Sequence, residues 1–85
     1  MQALTMTENQ VEGFIDEVQR GNETKLEPKS FVASKIKNKW IVSFTYNGKV
    51  ACLELSRGTV RNFPRLNGVQ KWMEKMEIEE FKVVL

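Results

Sequence analysis

The chain has 85 residues, of which 41% are hydrophobic and 28% charged, and its formal net charge is +2. This composition is typical of a globular protein and differs from that of disordered or membrane proteins. A chain of this length forms a single hydrophobic core, so we expect one domain over residues 1–85. No apolar run reaches the roughly 20 residues of a membrane span, and no secretory signal is recognisable. With Cys52 as the single cysteine, we expect a cytoplasmic protein without membrane association.

The first helical pattern follows a short lead. Residues 1–6 have no periodicity, and we expect them to be disordered. Thr7 and Gln10 have the capping-box spacing, in which each side chain satisfies a backbone N–H of the first helical turn. We therefore predict a helix from about Glu8 to Arg20, followed by a polar linker over residues 22–30. The apolar stripe of this helix has four members at helical spacing: Val11, Phe14, Ile15 and Val18.

The clearest local signal is Asn47–Gly48, which separates two segments of alternating apolar residues. Both residues tolerate the positive φ that a type I′ turn requires, so the pattern predicts a β-hairpin. Counting outward from the turn pairs Phe44 with Ala51 and Trp40 with Leu55. One face of this hairpin is predicted to form the core, with Trp40, Val42, Phe44, Leu53 and Leu55 as its members.

A strand over Phe31–Ile36 is predicted to precede this hairpin. Lys37, Asn38 and Lys39 would join the two as a three-residue turn. We prefer this register because it places Val32 on the core face together with Ile36, whereas a two-residue turn would place lysines there.

The remainder of the chain predicts further strands around a second helix. Arg57–Gly58 is interpreted as a tight turn before a fourth strand at Val60–Phe63, or as a bulge within one longer strand. Asn67 is predicted to cap a second helix that packs on the sheet. The alternation over Phe81–Leu85 predicts a last strand, which the long crossover allows to pair in parallel with a meander strand. The fold class is thus predicted as α+β, comprising an N-terminal helix, an antiparallel meander of three or four strands, a second helix and a C-terminal strand.

The residues that most catalytic and metal sites require are scarce. The chain has no histidine, the commonest general base and metal ligand. Cys52 has no imidazole to activate it and is interpreted as a small apolar residue of a strand. Glu77, Glu79 and Glu80 are interpreted as a solvated turn. We therefore expect a protein that is not an enzyme and binds no metal or cofactor.

Positive charge is concentrated in the middle of the chain. Residues 25–65 carry nine basic and two acidic side chains, whereas residues 1–24 carry one basic and five acidic. Basic side chains that contact phosphates supply sequence-independent affinity for nucleic acid, and an exposed tyrosine can stack on a base. The alternative is a solvated sheet face with lysines that protect edge strands from aggregation. The candidate nucleic-acid-binding residues are Lys35, Lys37, Lys39, Tyr46, Arg57, Arg61 and Arg65.

A second hypothesis is association with a protein. The hairpin face opposite the predicted core is moderately apolar. The second helix is predicted to pack on the core face and leaves this opposite face uncovered. The first helix could cover this face, a partner or a second copy could do so, or it could remain half exposed. An accessory or inhibitor protein, or a homodimer, would use this face or an exposed strand edge. The candidate interface residues are Ile41, Thr45, Val50 and Cys52.

Residues 52–83 carry a resemblance to a known group of proteins. The residues that carry it are Arg57–Gly58, Arg61, Phe63, Leu66, the helical segment from Val69 to Met76, Ile78 and Phe81. This pattern resembles the C-terminal part of small proteins of bacterial plasmids and other mobile genetic elements that are described as partition- or replication-associated. The resemblance implies a meander followed by a helix and a strand, with an accessory role near DNA or a DNA-bound partner.

Overall fold

The computed structural model describes residues 4–56 and 58–85 and has an α+β architecture of two helices and one mixed sheet of six strands. The helices are α1 (Glu8–Gln19) and α2 (Leu66–Lys75). The sheet has the order β1-β4-β3-β2-β6, and β5 pairs with β4. The strands are β1 (Leu4–Thr7), β2 (Val32–Ile36), β3 (Lys39–Tyr46), β4 (Lys49–Ser56), β5 (Thr59–Val60) and β6 (Lys82–Val84).

The N-terminal segment is a strand where it is described. Residues 4–7 form β1, which lies parallel to β4 and pairs Met6 with Leu53. Met6 is buried in the core at 5% exposure. The expectation of a disordered lead is therefore wrong from Leu4 onward, whereas residues 1–3 lie outside the described part. A parallel pairing to a strand more than 40 residues away gives no local turn signal, which explains why the sequence did not reveal it.

The hairpin around Asn47–Gly48 is confirmed. Both residues have positive φ, and the predicted register pairs Phe44 with Ala51. The assignment of Leu55 to the core is wrong, because Leu55 is 63% exposed. Trp40 instead forms an antiparallel bridge with Phe63, and their backbones exchange two hydrogen bonds of 2.8 Å. The cause is a register irregularity between Glu54 and Ser56, where β4 turns to pair with β5.

The turn between β2 and β3 has two residues and not three. Ile36 pairs with Lys39, and Lys37 adopts a positive φ of 58°. The core face of β2 therefore carries Ala33, which is fully buried, whereas Ile36 is half exposed. Lys35 lies on the core side of the strand but remains exposed, because it lies at the end of the strand next to the turn. The prediction of a three-residue turn is therefore wrong, because the end of β2 at Lys35 is exposed and needs no apolar residue.

The two helices begin in different ways. Thr7 caps α1 with the predicted capping box: the Gln10 backbone N–H donates to Thr7 Oγ1, and the Thr7 backbone N–H donates to Gln10 Oε1. The prediction that Asn67 caps α2 is wrong. The N-cap is Arg65, two residues earlier, and its side chain makes no capping hydrogen bond. Pro64 favours an extended backbone at Phe63, the residue before it, and Arg65 is extended as well, so the helix begins at Leu66.

The antiparallel meander is only part of the sheet. Strand β6 pairs in parallel with β2, as the length of the crossover allowed, and aligns Ala33 with Val83. With β1 also parallel to its neighbour, the sheet is mixed, which corrects the prediction of three or four antiparallel strands. The linker over residues 22–30 is irregular, but it places Leu26 in the core beside Tyr46.

Both helices pack on the same face of the sheet. Val11 and Ile15 of α1 and Val69 and Trp72 of α2 belong to one buried cluster with the alternate residues of the strands. That cluster also contains the even-numbered residues of β3, such as Phe44. The odd-numbered residues of β3 lie on the opposite face, which no described element covers.

Candidate functional site

One end of the sheet gathers most of the predicted basic residues. Lys35 ends the core-side row of β2, Lys37 lies in the turn, and Lys39 begins β3 on the opposite face. The three side chains therefore point away from the β2–β3 turn in different directions, because successive strand residues alternate between faces. All three are exposed.

Arg65 reaches the same end of the sheet through the Trp40–Phe63 bridge. Trp40 and Phe63 are antiparallel partners, so the residues after Phe63 run back past Lys39 towards the turn. Arg65, two residues later, is exposed and starts α2. We call the set of Lys35, Lys37, Lys39 and Arg65 the basic end.

The electrostatics of the basic end favour an anion. The ion pairs found in the described part of the chain involve Asp16 and Glu8, and none includes a residue of the basic end. The uncapped first turn of α2 adds the partial positive charge of a helix N-terminus. The basic end therefore presents four charges to solvent without a carboxylate to neutralise them within residues 4–56 and 58–85.

Arg61 has a structural partner. Its guanidinium lies 3.5 Å from the carboxylate of Glu8 and 4.7 Å from the ring centre of Phe63. Its side chain is only 33% exposed. Arg61 is therefore not part of the basic end, because its charge is engaged in the fold. No local sequence signal predicts this ion pair, because Glu8 and Arg61 are distant in the chain.

Two other predicted residues are not part of the basic end. Tyr46 lies at the far end of β3, about 23 Å along the strand from Lys39. Its ring packs against Phe14 of α1 with 5.1 Å between ring centres. Arg57 lies outside the described residues.

The predicted protein-interface residues share one face. Ser43 pairs with Cys52 and Thr45 with Val50 on the uncovered side of the sheet. Val50 is the most open, at 68% exposure, and Ile41 is half-buried. We call this surface the outer face, and its uncharged members include Thr5, Val32, Ser34, Ile36, Ile41, Ser43, Thr45, Val50, Cys52 and Val84.

Cys52 and a surface groove are the described features that bear on chemical reactivity. Burial raises the pKa of the Cys52 thiol, which disfavours its reactive thiolate form. A groove of about 610 Å³ runs between α1 and the end of α2, where Glu12, Asp16 and Glu77 line it. Among the described residues, no group of three or more metal-ligating side chains is close enough to hold a metal ion.

Comparison with known proteins adds no relative. The chain matches no family model, no curated protein and no solved structure. In residues 4–56 and 58–85, neither helix has the length and apolar character needed to cross a bilayer.

Proposed function

We propose that this chain is a small, non-enzymatic module that binds nucleic acid through the basic end. The observation that supports this most is the presence of four exposed basic side chains at one end of the sheet, none of them in an ion pair in the described part of the chain. Phosphate contacts from lysine and arginine provide affinity that does not depend on base sequence. No metal or cofactor takes part in this function.

The geometry favours contacts with the phosphate backbone over base recognition. The three lysines diverge around a tight turn, and Arg65 starts a helix whose first-turn N–H groups are a common site for phosphate. Tyr46, the one candidate for base stacking, packs against Phe14 at the other end of β3. We therefore expect weak sequence preference and binding to both single- and double-stranded DNA.

Charge reversal at two ends of the molecule tests this function. In the Lys35→Glu/Lys37→Glu/Lys39→Glu variant, we expect at least a tenfold loss of affinity for labelled DNA in fluorescence anisotropy at low salt. The matched control is Lys25→Glu/Lys29→Glu/Lys49→Glu, which changes the net charge equally but lies away from the basic end. Equal losses in the two variants would mean that net charge alone causes binding. The absence of wild-type binding would exclude the proposal.

The outer face supports a second candidate function, that of a protein-binding accessory or inhibitor. A wide, largely uncharged sheet surface with Val50 68% exposed is typical of a surface that another protein covers. Substitution of Ile41 or Val50 with lysine would weaken such a complex without affecting DNA binding. In either case the role would be accessory and cytoplasmic, in keeping with the resemblance of residues 52–83 to proteins of mobile genetic elements.

A further inference from the structure

The β2–β6 margin of the sheet concentrates exposed apolar side chains. Seven large hydrophobic residues are exposed in the described part of the chain, and four of them lie here. Val83 and Val84 belong to β6, Leu85 follows it, and Ile36 ends the neighbouring strand β2. Their exposures are 45% for Val83, 50% for Val84, 92% for Leu85 and 50% for Ile36.

The backbone of β6 has a free hydrogen-bonding edge. The Lys82 N–H donates to the Phe31 carbonyl of the segment that leads into β2, so the polar groups of Lys82 face the sheet. Successive residues of a strand direct their N–H and C=O groups to opposite sides, so those of Val83 face away from β2. Since β6 is the last strand in the sheet order, these groups have no partner strand among the described residues.

We infer that two copies of this chain pair through their β6 edges in antiparallel orientation, with Val83 opposite Val83 of the second copy on a two-fold axis. In such a pair the two Val83 residues exchange both backbone hydrogen bonds. Phe81 of each copy lies opposite Leu85 of the other. The backbone N–H and C=O groups of these two residues also face the free edge. Phe81, Val83 and Leu85 all lie on the helix-covered side, so the pairing joins them into one apolar row.

The charges near the two ends of β6 are complementary to those of a second copy in antiparallel orientation. Glu79 and Glu80 precede β6, whereas Lys35 lies near the end of the parallel strand β2 alongside it and Lys37 lies in the turn that follows. Antiparallel pairing brings the acidic segment of each copy to the level of Lys35 and Lys37 of the other. Two strand spacings, about 10 Å, separate these backbones, a gap that lysine and glutamate side chains span together.

The pairing avoids repulsion along the strand itself. With Val83 on the axis, Lys82 lies opposite Val84 of the second copy and not opposite another lysine. The shared edge is short, because β6 has three residues, so the interface is a weak one. We expect a dimer that dissociates on dilution through the micromolar range, and no nucleic acid is needed for it to form.

Proline at position 83 is the most direct test. Its missing N–H faces the free edge, so the Val83→Pro monomer keeps every hydrogen bond to β2, and edge strands tolerate proline in this orientation. Sedimentation analysis between about 10 µM and about 1 mM should show wild type approaching twice the single-chain mass, and the variant remaining at that of one chain. A wild type that stays monomeric, or a variant that dimerises equally, would overturn the pairing.

Val84→Pro is the matched control for strand orientation. The N–H of Val84 faces β2, so this variant should show a lower midpoint of thermal unfolding than Val83→Pro by circular dichroism. Equal midpoints would contradict the assignment of the free edge.

A charge exchange tests the same interface without proline. Lys35→Glu/Lys37→Glu and Glu79→Lys/Glu80→Lys should each dimerise more weakly than wild type, because like charges then meet at both ends. Mixed together, the two variants should pair preferentially with each other, as native mass spectrometry can measure. If Val83→Pro does not fold, the mixing experiment tests the proposed dimer instead. Preferential pairing between the two charge variants would support pairing through the β6 edges, and unselective pairing or no pairing would overturn it.

Discussion

Glu8, the first residue of α1, accepts a hydrogen bond of 2.7 Å from the indole Nε1 of Trp72 in α2. The same carboxylate oxygen lies 3.3 Å from Nζ of Lys75 and 3.5 Å from the guanidinium of Arg61. One side chain therefore connects the start of α1 to α2 and to the segment after β5. It also explains why Arg61 contributes to the fold.

The Glu8 carboxylate should make stability depend on pH. Burial raises its pKa, but the hydrogen bonds from Trp72 and Lys75 and the charges of Lys75 and Arg61 together lower it below the usual 4.5. A pKa lower in the folded chain stabilises the fold above about pH 4.5, and the contribution disappears as the pH falls through the lowered value.

Glu8→Gln retains an oxygen acceptor for Trp72 but removes the charge. We expect it to lower the free energy of unfolding by about 1 kcal/mol at pH 7, since charge-assisted hydrogen bonds are stronger than neutral ones. Urea unfolding should show the difference from wild type shrinking as the pH falls below 4.5. A difference that stays constant from pH 7 to pH 3 would contradict the assigned role.

Leu53 and Leu55 differ in environment although they are two residues apart on β4. Leu53 is fully buried, whereas Leu55 is 63% exposed beyond the irregularity at Glu54. Leu53→Ala should cost about 2 to 5 kcal/mol of unfolding free energy, and Leu55→Ala less than about 0.5 kcal/mol. Chemical denaturation measures both. Similar losses would mean that β4 continues straight and that Leu55 belongs to the core.

Two glycines should respond in opposite directions to alanine. Gly13 lies inside α1 with no atom within 4 Å of an added Cβ, so Gly13→Ala should stabilise the protein by about 0.5 to 1 kcal/mol. Gly48 has a φ of +76° in the hairpin turn, so Gly48→Ala should cost about 1 to 2 kcal/mol. Thermal unfolding of the two variants checks the turn geometry, and a stabilised Gly48→Ala would be incompatible with it.

Local signals predicted the parts of the fold that are encoded locally. Asn47–Gly48 specified its hairpin because both residues accept positive φ, and Thr7 with Gln10 marked the start of α1. The prediction of a three-residue turn was wrong, because the preference for buried apolar side chains does not hold at the exposed end of β2. A lysine at the core-side end of a strand costs little when the helices do not reach it.

Long-range pairings were beyond the sequence argument. The parallel strand β1 and the Trp40–Phe63 bridge join distant segments without a turn between them. The bridge is what brings Arg65 to the three lysines, so the basic end could be predicted only in part. Tyr46 was a candidate because a tyrosine at the hairpin tip can stack on a base, but the whole length of β3 separates it from the basic end.

The salt dependence of DNA binding tests the central proposal most directly. If four phosphates are contacted by the basic end, the logarithm of the association constant should fall with the logarithm of salt concentration with a slope of about −3 to −4. Lys37→Gln should reduce the size of this slope by about 1, and Lys49→Gln, at the opposite hairpin, should leave it unchanged. The absence of measurable binding at low salt, or a slope that Lys37→Gln does not alter, would contradict the account.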